Sequence, residues 1–207
     1  MLTLYHAPRS RSSRIIWLLE EVGADYEIRT VSIRRRDPAA QGPDAALIGD
    51  PDPANPHPHG KVPALVHDGA LVFESAAIVL YLTDAFPERG LGPAIGDPRR
   101  GPYLSWLAYY PGVAEPSFTS AFFGFETAGS ATGWAPVKDV MAHIEAALAT
   151  GPYLLGDAFS GADILFGSTF AYFRGSPLVP ESDRLTAYVE RLTSRPAYQR
   201  AAARDTG

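Results

Sequence analysis

The first 33 residues constrain this chain more than any other feature. "LTLYH" at 2 to 6 is a short β-rich run, and "RIIWLLEEVG" at 14 to 23 carries apolar residues at helical spacing and stops at Gly23. "DYEIRTVSI" at 25 to 33 then alternates as a strand. Strand, helix and strand within about 30 residues make a βαβ unit, which implies a parallel pair with a right-handed crossover.

Beyond Ile33 the chain changes character twice. Residues 34 to 60 are rich in Pro, Asp and Gly, so they predict a long irregular connection with at most a short helix around Ala45 to Ile48. "PALVHDGALVFE" predicts two strands joined by a tight turn at Asp68-Gly69, and "SAAIVLYLTDAF" a helix ended by Pro87. Residues 84 to 98 have the composition of a linker. Beyond them the periodic segments are helical: 99 to 125, 134 to 149, 161 to 173, 182 to 193 and 196 to 204. Pro111-Gly112 and Pro116 should break or bend the first of these. The expected architecture is an α/β domain over 1–83, a linker over 84–98 and an all-helical domain over 99–207.

With 207 residues and a formal net charge of −5, the chain has no electrostatic footprint for nucleic acid or an anionic membrane, so a small ligand is expected. No apolar run approaches the roughly 20 residues of a membrane span. The charges of "MLTLYHAPRSRSSR" come after its apolar stretch, the reverse of a signal peptide, so a cytoplasmic location is expected. Cysteine is absent, which excludes disulfides, thiolate metal sites and protein-borne thiol chemistry. Any sulfur chemistry must use sulfur that the ligand brings.

Three segments carry chemistry. In "GKVPALV", Pro63 sits inside an apolar strand signal, where it cannot donate to a sheet ladder. Either it is an ordinary trans edge proline, or a cis Val62-Pro63 bond turns the Val62 backbone toward a peptide-like ligand. In "FES", Ser75 can cap the helix after it, whose N-terminus suits a carboxylate, while Glu74 can pair with an ammonium group. In "APRSRSSR" at 7 to 14, each serine can be a plain helix cap. A hydroxyl there can also donate to a ligand thiolate, helped by the helix dipole and by Arg9, Arg11 and Arg14.

Together with "NP…GKVPAL", "FSGADI" at 159 to 164 and the terminal "RPAYQRA", these segments resemble the glutathione transferase family along essentially the whole chain. The resemblance implies a thioredoxin-like N-terminal domain, an all-α C-terminal domain and glutathione as co-substrate. It assigns the cysteinyl backbone of glutathione to Val62 and Pro63, the γ-glutamyl end to Glu74 and Ser75, and the glycine carboxylate to Lys61, with His57 or His59 helping. The thiol-activating residue of such proteins is a Tyr, Ser or Cys in or after the first strand. Here Ser10 is the first choice and Ser12 the second, while Tyr5 lies within the strand. Ser160 and Asp163 have capping-box spacing and are assigned to folding.

The apolar electrophile is expected against the first helix of the second domain, with Tyr109, Phe122 and Trp134 as lining candidates. His57 and His59 are separated by proline, without cysteine or a helically spaced acid, and so give no metal motif. "NPHPHGK" is two residues longer than the usual form, and Arg34, Arg35 and Arg36 read either as positive potential near the ligand or as a solvated face. A homodimer is implied by the resemblance. Competing readings are glutathione-dependent reduction, ether cleavage or isomerisation at the same site, and a non-catalytic binding module.

Overall fold

The computed structural model describes residues 1–37, 47–125, 131–180 and 182–205. Two compact units emerge: Met1–Leu82 with the segment from Pro196 onward, and Thr83–Arg195.

The first unit is built on a four-stranded sheet. β1 (Leu2–His6) and β2 (Tyr26–Thr30) pair in parallel across α1 (Ser13–Val22), which is the βαβ unit the sequence predicts. β5 (Ala64–His67) runs antiparallel to β1, and β6 (Ala70–Phe73) antiparallel to β5, giving the order β2-β1-β5-β6. The hairpin turn needs positive φ at both central residues, and Asp68 (48°) and Gly69 (86°) supply it.

α1 buries Ile15, Ile16, Trp17, Leu18, Leu19 and Val22, too many for a helix covered on one side only. Its second cover is α8 (Pro196–Arg204), which the sequence grouped with the helical domain. Tyr198 meets Trp17 edge to face at 5.1 Å, and Arg200 donates to the Glu20 carboxylate at 2.7 Å.

Between β2 and β5 the irregular stretch holds a small ribbon, β3 (Arg35–Arg36) antiparallel to β4 (Leu47–Ile48). The helix expected around Ala45 to Ile48 is therefore absent at Leu47 and Ile48, where ladder pairing wins; Ala45 and Ala46 lie outside the described residues.

α2 (Ser75–Ala85) runs across the boundary into the second unit. There, α6 (Gly161–Tyr172) is the buried centre, with Leu165, Phe166 and Phe170 inside. α5 (Val137–Leu148) and α7 (Asp183–Thr193) belong to the same unit. Both halves of the capping box predicted at Ser160 and Asp163 are formed. The helix expected over 99 to 125 is α3 (Arg100–Tyr109) and α4 (Glu115–Phe123), joined by a π turn over Tyr110–Ala114. Glu115 N–H donates to the Tyr110 carbonyl, so the widened turn absorbs the prolines and the chain continues helically. The 84 to 98 stretch is held down: Arg100 grips Asp84 at 2.6 and 2.8 Å, and the Leu91 carbonyl accepts from Gly161 N–H. Among the described residues no helix is long and apolar enough to cross a membrane.

Candidate active site

Strand register brings three distant stretches to one end of the sheet. Tyr5 pairs with Ala64 and Ala64 with Phe73, so β1 ends, β5 begins and β6 ends side by side. The serine loop leaves from β1, Val62 and Pro63 lead into β5, and Glu74 and Ser75 come directly after β6. Val62, Ala64, Ala7, Val31 and Tyr5 close together in one apolar cluster under this end. The Val62-Pro63 bond is cis, and Val62 lies outside the paired register of β5.

The two candidate serines occupy different environments. Ser12 is fully buried, and its hydroxyl accepts from Ala7 N–H (3.2 Å) and faces the Ala7 carbonyl (3.3 Å), His6 Nδ1 (2.8 Å) and Ser10 Oγ (2.7 Å). It holds the cap position of α1, yet its hydroxyl turns back to β1 and makes no cap bond. Ser12 is thus enclosed by protein atoms on all sides. Ser10 is half-buried. Its Oγ accepts from Ser12 N–H at 3.2 Å, and its own N–H donates to Ser13 Oγ at 3.2 Å. The Tyr5 ring is in the apolar cluster and its hydroxyl accepts from Arg29 at 3.2 Å.

Two partners of this loop carry no sequence signal of their own. His6, the last residue of β1, is 1 % exposed and sets Nε2 3.1 Å from Asp205 Oδ1, off the line of a full hydrogen bond. Asp205 also accepts from Arg9 N–H at 3.0 Å, with Arg9 at φ 53°. Burial holds His6 below the ordinary imidazole value; the Asp205 charge opposes this and Arg35 adds to it. Arg35 donates to the Pro8 carbonyl at 2.7 Å, so this arginine anchors the serine loop. A histidine inside a β-run and an aspartate near residue 205 become neighbours only once α8 docks on α1.

The longer "NPHPHGK" loop is closed by its own side chains. Asn55 donates from Nδ2 to the Lys61 carbonyl at 2.9 Å and accepts from His57 N–H at 3.1 Å. His57 is buried, and its Nδ1 accepts from His59 N–H at 3.1 Å, which places the ring proton on Nε2. Burial lowers the His57 pKa, Glu74 opposes, and His59 and Lys61 lower it further. His57 is thus a loop strut, while His59, Lys61 and Glu74 are exposed. Gly60 has φ 58°, and a Cβ there would come within 2.6 Å of Pro51 Cβ. At the β6 to α2 step, the Glu74 carbonyl accepts from Ile78 N–H at 2.9 Å. Glu74 therefore takes the cap place expected of Ser75, which is the first helical residue. Glu74 does so at φ 69°, a conformation that costs a non-glycine residue of order 1 kcal/mol or more.

In the helical unit the proposed lining residues sit in separate surroundings. Tyr109 is half-buried against Trp106 and His143, while Phe122 is exposed and packs with Phe123 and Phe173. Trp134 is half-buried, with its carbonyl accepting from Thr132 Oγ1 at 3.2 Å.

Residues 1–84 match the family model described as glutathione S-transferase, N-terminal domain, and residues 126–191 the one described as glutathione S-transferase, C-terminal domain. Curated relatives include glutathione S-transferase F10 of Arabidopsis thaliana, 26% identical over 221 residues that span 99% of this chain and 97% of that protein. Glutathione S-transferase GstA of Escherichia coli O157:H7 is 25% identical over 203 residues, 97% of this chain and 96% of that one. Among solved structures, a glutathione transferase from Methylococcus capsulatus is 29% identical with TM-score 0.73, covering 99% of this chain and 98% of its own. A sphingomonad glutathione S-transferase complexed with glutathione is 28% identical with TM-score 0.74, covering 98% of each chain.

Proposed function

Because this chain belongs to the glutathione S-transferase family, we propose that it binds reduced glutathione at the β1, β5 and β6 end of the sheet and delivers its thiolate to an apolar electrophile. Val62 lends its backbone to the cysteinyl part of the ligand, and Glu74 and Ser75 take the γ-glutamyl end. Lys61 and His59 face the glycine carboxylate. The Ser10 hydroxyl donates to the thiolate, and Ser12 serves as its buried support. Tyr109, Phe122 and Trp134 stand as candidates for the electrophile's contacts, and the working assembly is a homodimer.

The observation that carries this reading is the strand register, which gathers the serine loop, Val62 and Glu74 at one sheet end. The chemistry needs little more than a pre-aimed donor. Each unit of thiol pKa lowering corresponds to about 1.4 kcal/mol, and one hydrogen bond to a charged group contributes about 1.5–3 kcal/mol. Positioning of the two reactants supplies the rest of the acceleration, with no covalent enzyme intermediate.

The test is a titration with reduced glutathione, read by ultraviolet thiolate absorbance, on the native chain and on Ser10→Ala. The native chain should develop the thiolate band at neutral pH. Ser10→Ala should still bind glutathione but lose the band, with kcat/KM for an activated aryl halide down by about 10²–10³. A variant that keeps the band would remove Ser10 from this role. Failure of the native chain to bind glutathione would remove the proposed function.

A further inference from the structure

Asp205, His6, Ser12 and Ser10 form a continuous file that ends at the site. The separations are 3.1 Å from Asp205 Oδ1 to His6 Nε2, 2.8 Å from His6 Nδ1 to Ser12 Oγ, and 2.7 Å from Ser12 Oγ to Ser10 Oγ. His6 and Ser12 in the middle of the file are buried, while Ser10 and Asp205 at its two ends are half-buried.

Valence and distance together place the protons. Ser12 Oγ spends one lone pair on Ala7 N–H, which leaves one lone pair and one proton; the Ala7 carbonyl at 3.3 Å and His6 Nδ1 at 2.8 Å compete for that proton, and the shorter contact is to His6. With His6 neutral and its proton on Nε2, facing the Asp205 charge, Nδ1 accepts from Ser12 O–H and Ser12 accepts from Ser10 O–H. Ser10 Oγ also accepts from Ser12 N–H, which leaves one lone pair aimed out of the network. In this state Ser10 is an acceptor, ready for an S–H group and unsuited to a thiolate. To hold a thiolate, the Ser10–Ser12 and Ser12–His6 hydrogen bonds must both reverse.

We infer that His6 is the base that takes the thiol proton of glutathione, acting through Ser12 and Ser10, and that Asp205 holds the resulting imidazolium. The inference rests on the glutathione reading proposed above. The step balances: the S–H proton passes to Ser10 Oγ, the Ser10 proton to Ser12 Oγ, and the Ser12 proton to His6 Nδ1. The S–H bond is broken, one N–H bond is made, and no electrons are gained or lost. The product has Ser10 O–H pointing at the thiolate and both ring nitrogens of His6 protonated, with Nε2 against Asp205. His6 and Asp205 are positioning residues here, since neither touches the sulfur.

The charged groups that His6 senses are Asp205, beyond α8, and Arg35, on β3. β2 sets uncharged Thr30 opposite it. Tyr198 on α8 faces Asp205 in turn and is raised by burial and by that charge, so it stays a neutral phenol. Burial of His6, which keeps it unprotonated before glutathione arrives, is what leaves Nδ1 open to receive the proton.

The decisive experiment counts protons. Reduced glutathione is titrated into the full chain by calorimetry in two buffers of different ionisation enthalpy at pH 7, with thiolate absorbance read in parallel and S-methylglutathione as the thiol-free control. The relay predicts a thiolate band with close to zero protons released to buffer, and a band nearly flat between about pH 6.5 and 7.5 because the transfer is internal. His6→Asn, which retains a group to bond Ser12 but cannot take a proton, should release one proton per thiolate formed and show a band that climbs about tenfold per pH unit. Asp205→Asn, which still accepts from Arg9 N–H, should lower the plateau about tenfold, the effect of losing one nearby opposite charge. If His6→Asn does not fold, the native proton count and Asp205→Asn decide the matter. One proton released per thiolate by the native chain overturns the relay and leaves the transferase reading standing. No binding of glutathione overturns both.

Discussion

Ser10 and Ser12 are two residues apart and lie in opposite surroundings, and stability measurements separate them. Ser12→Ala removes the hydroxyl shared by Ala7 N–H, His6 Nδ1 and Ser10, leaving buried groups without partners. We expect it to cost about 2 kcal/mol in urea denaturation, whereas Ser10→Ala at a half-buried site should cost under about 1 kcal/mol. Equal losses would contradict the burial difference. Gly60→Ala is the matching test of the side proposed for the glycine carboxylate. Its φ of 58° and a 2.6 Å approach to Pro51 should shift the Lys61 loop and weaken glutathione binding several-fold, read by the same titration. The sequence singled out Val62-Pro63 because a proline breaks a strand pattern, and the serine loop and Glu74-Ser75 because they stand at helix starts; the strand register sets all three at one end of the sheet. The sequence could not choose between Ser10 and Ser12, since spacing near a helix start does not say which hydroxyl faces inward. It also passed over His6, which reads as one more residue of a strand.

Local periodicity carried the elements well wherever one chain segment decided them: the hairpin turn, the Gly23 stop and the capping box were all legible. It failed where a neighbour decided. Leu47 and Ile48 pair with Arg36 and Arg35, and Pro111 is accommodated by a π turn rather than a break. The capping box of α6 has a cost tied to pH. Asp163 is 0 % exposed and is pushed up to about 6 by burial, although Leu154, Ser160 and Tyr188 all donate to it. An unfolded carboxyl titrates near 3.9, so between about pH 4 and 6 the folded chain binds more protons than the unfolded one. This group's contribution is therefore most favourable below about pH 4 and declines as pH rises to about 6, by at most about 3 kcal/mol. Asp163→Asn should lack that slope, so the stability difference between native and variant should change across this interval in chemical denaturation. A constant difference would mean that the Asp163 carboxyl is not raised.

At the scale of the whole molecule, the sheet unit is discontinuous in sequence, because α8 completes it after the helical unit has been traversed. No motif reveals this: "RPAYQRA" reads as one more helix, and its partner α1 lies near the other end of the chain. A chain stopped after Arg195 should uncover the α1 face that carries Trp17 and remove the Asp205 contact with His6. Hydrogen exchange should then show protection lost across β1 and α1, with α6 retaining far more of its own. Uniform loss in both units would argue against α8 as the specific cover. Synthesis on the ribosome separates these partners in time. β1 and its serines emerge first, yet the carboxylate facing His6 arrives only after Thr83–Arg195 has been translated, a delay on the order of ten seconds at common elongation rates. During that interval a nascent chain can carry the serine loop without its charge partner, so under the relay proposed above thiol activation becomes available only late in synthesis.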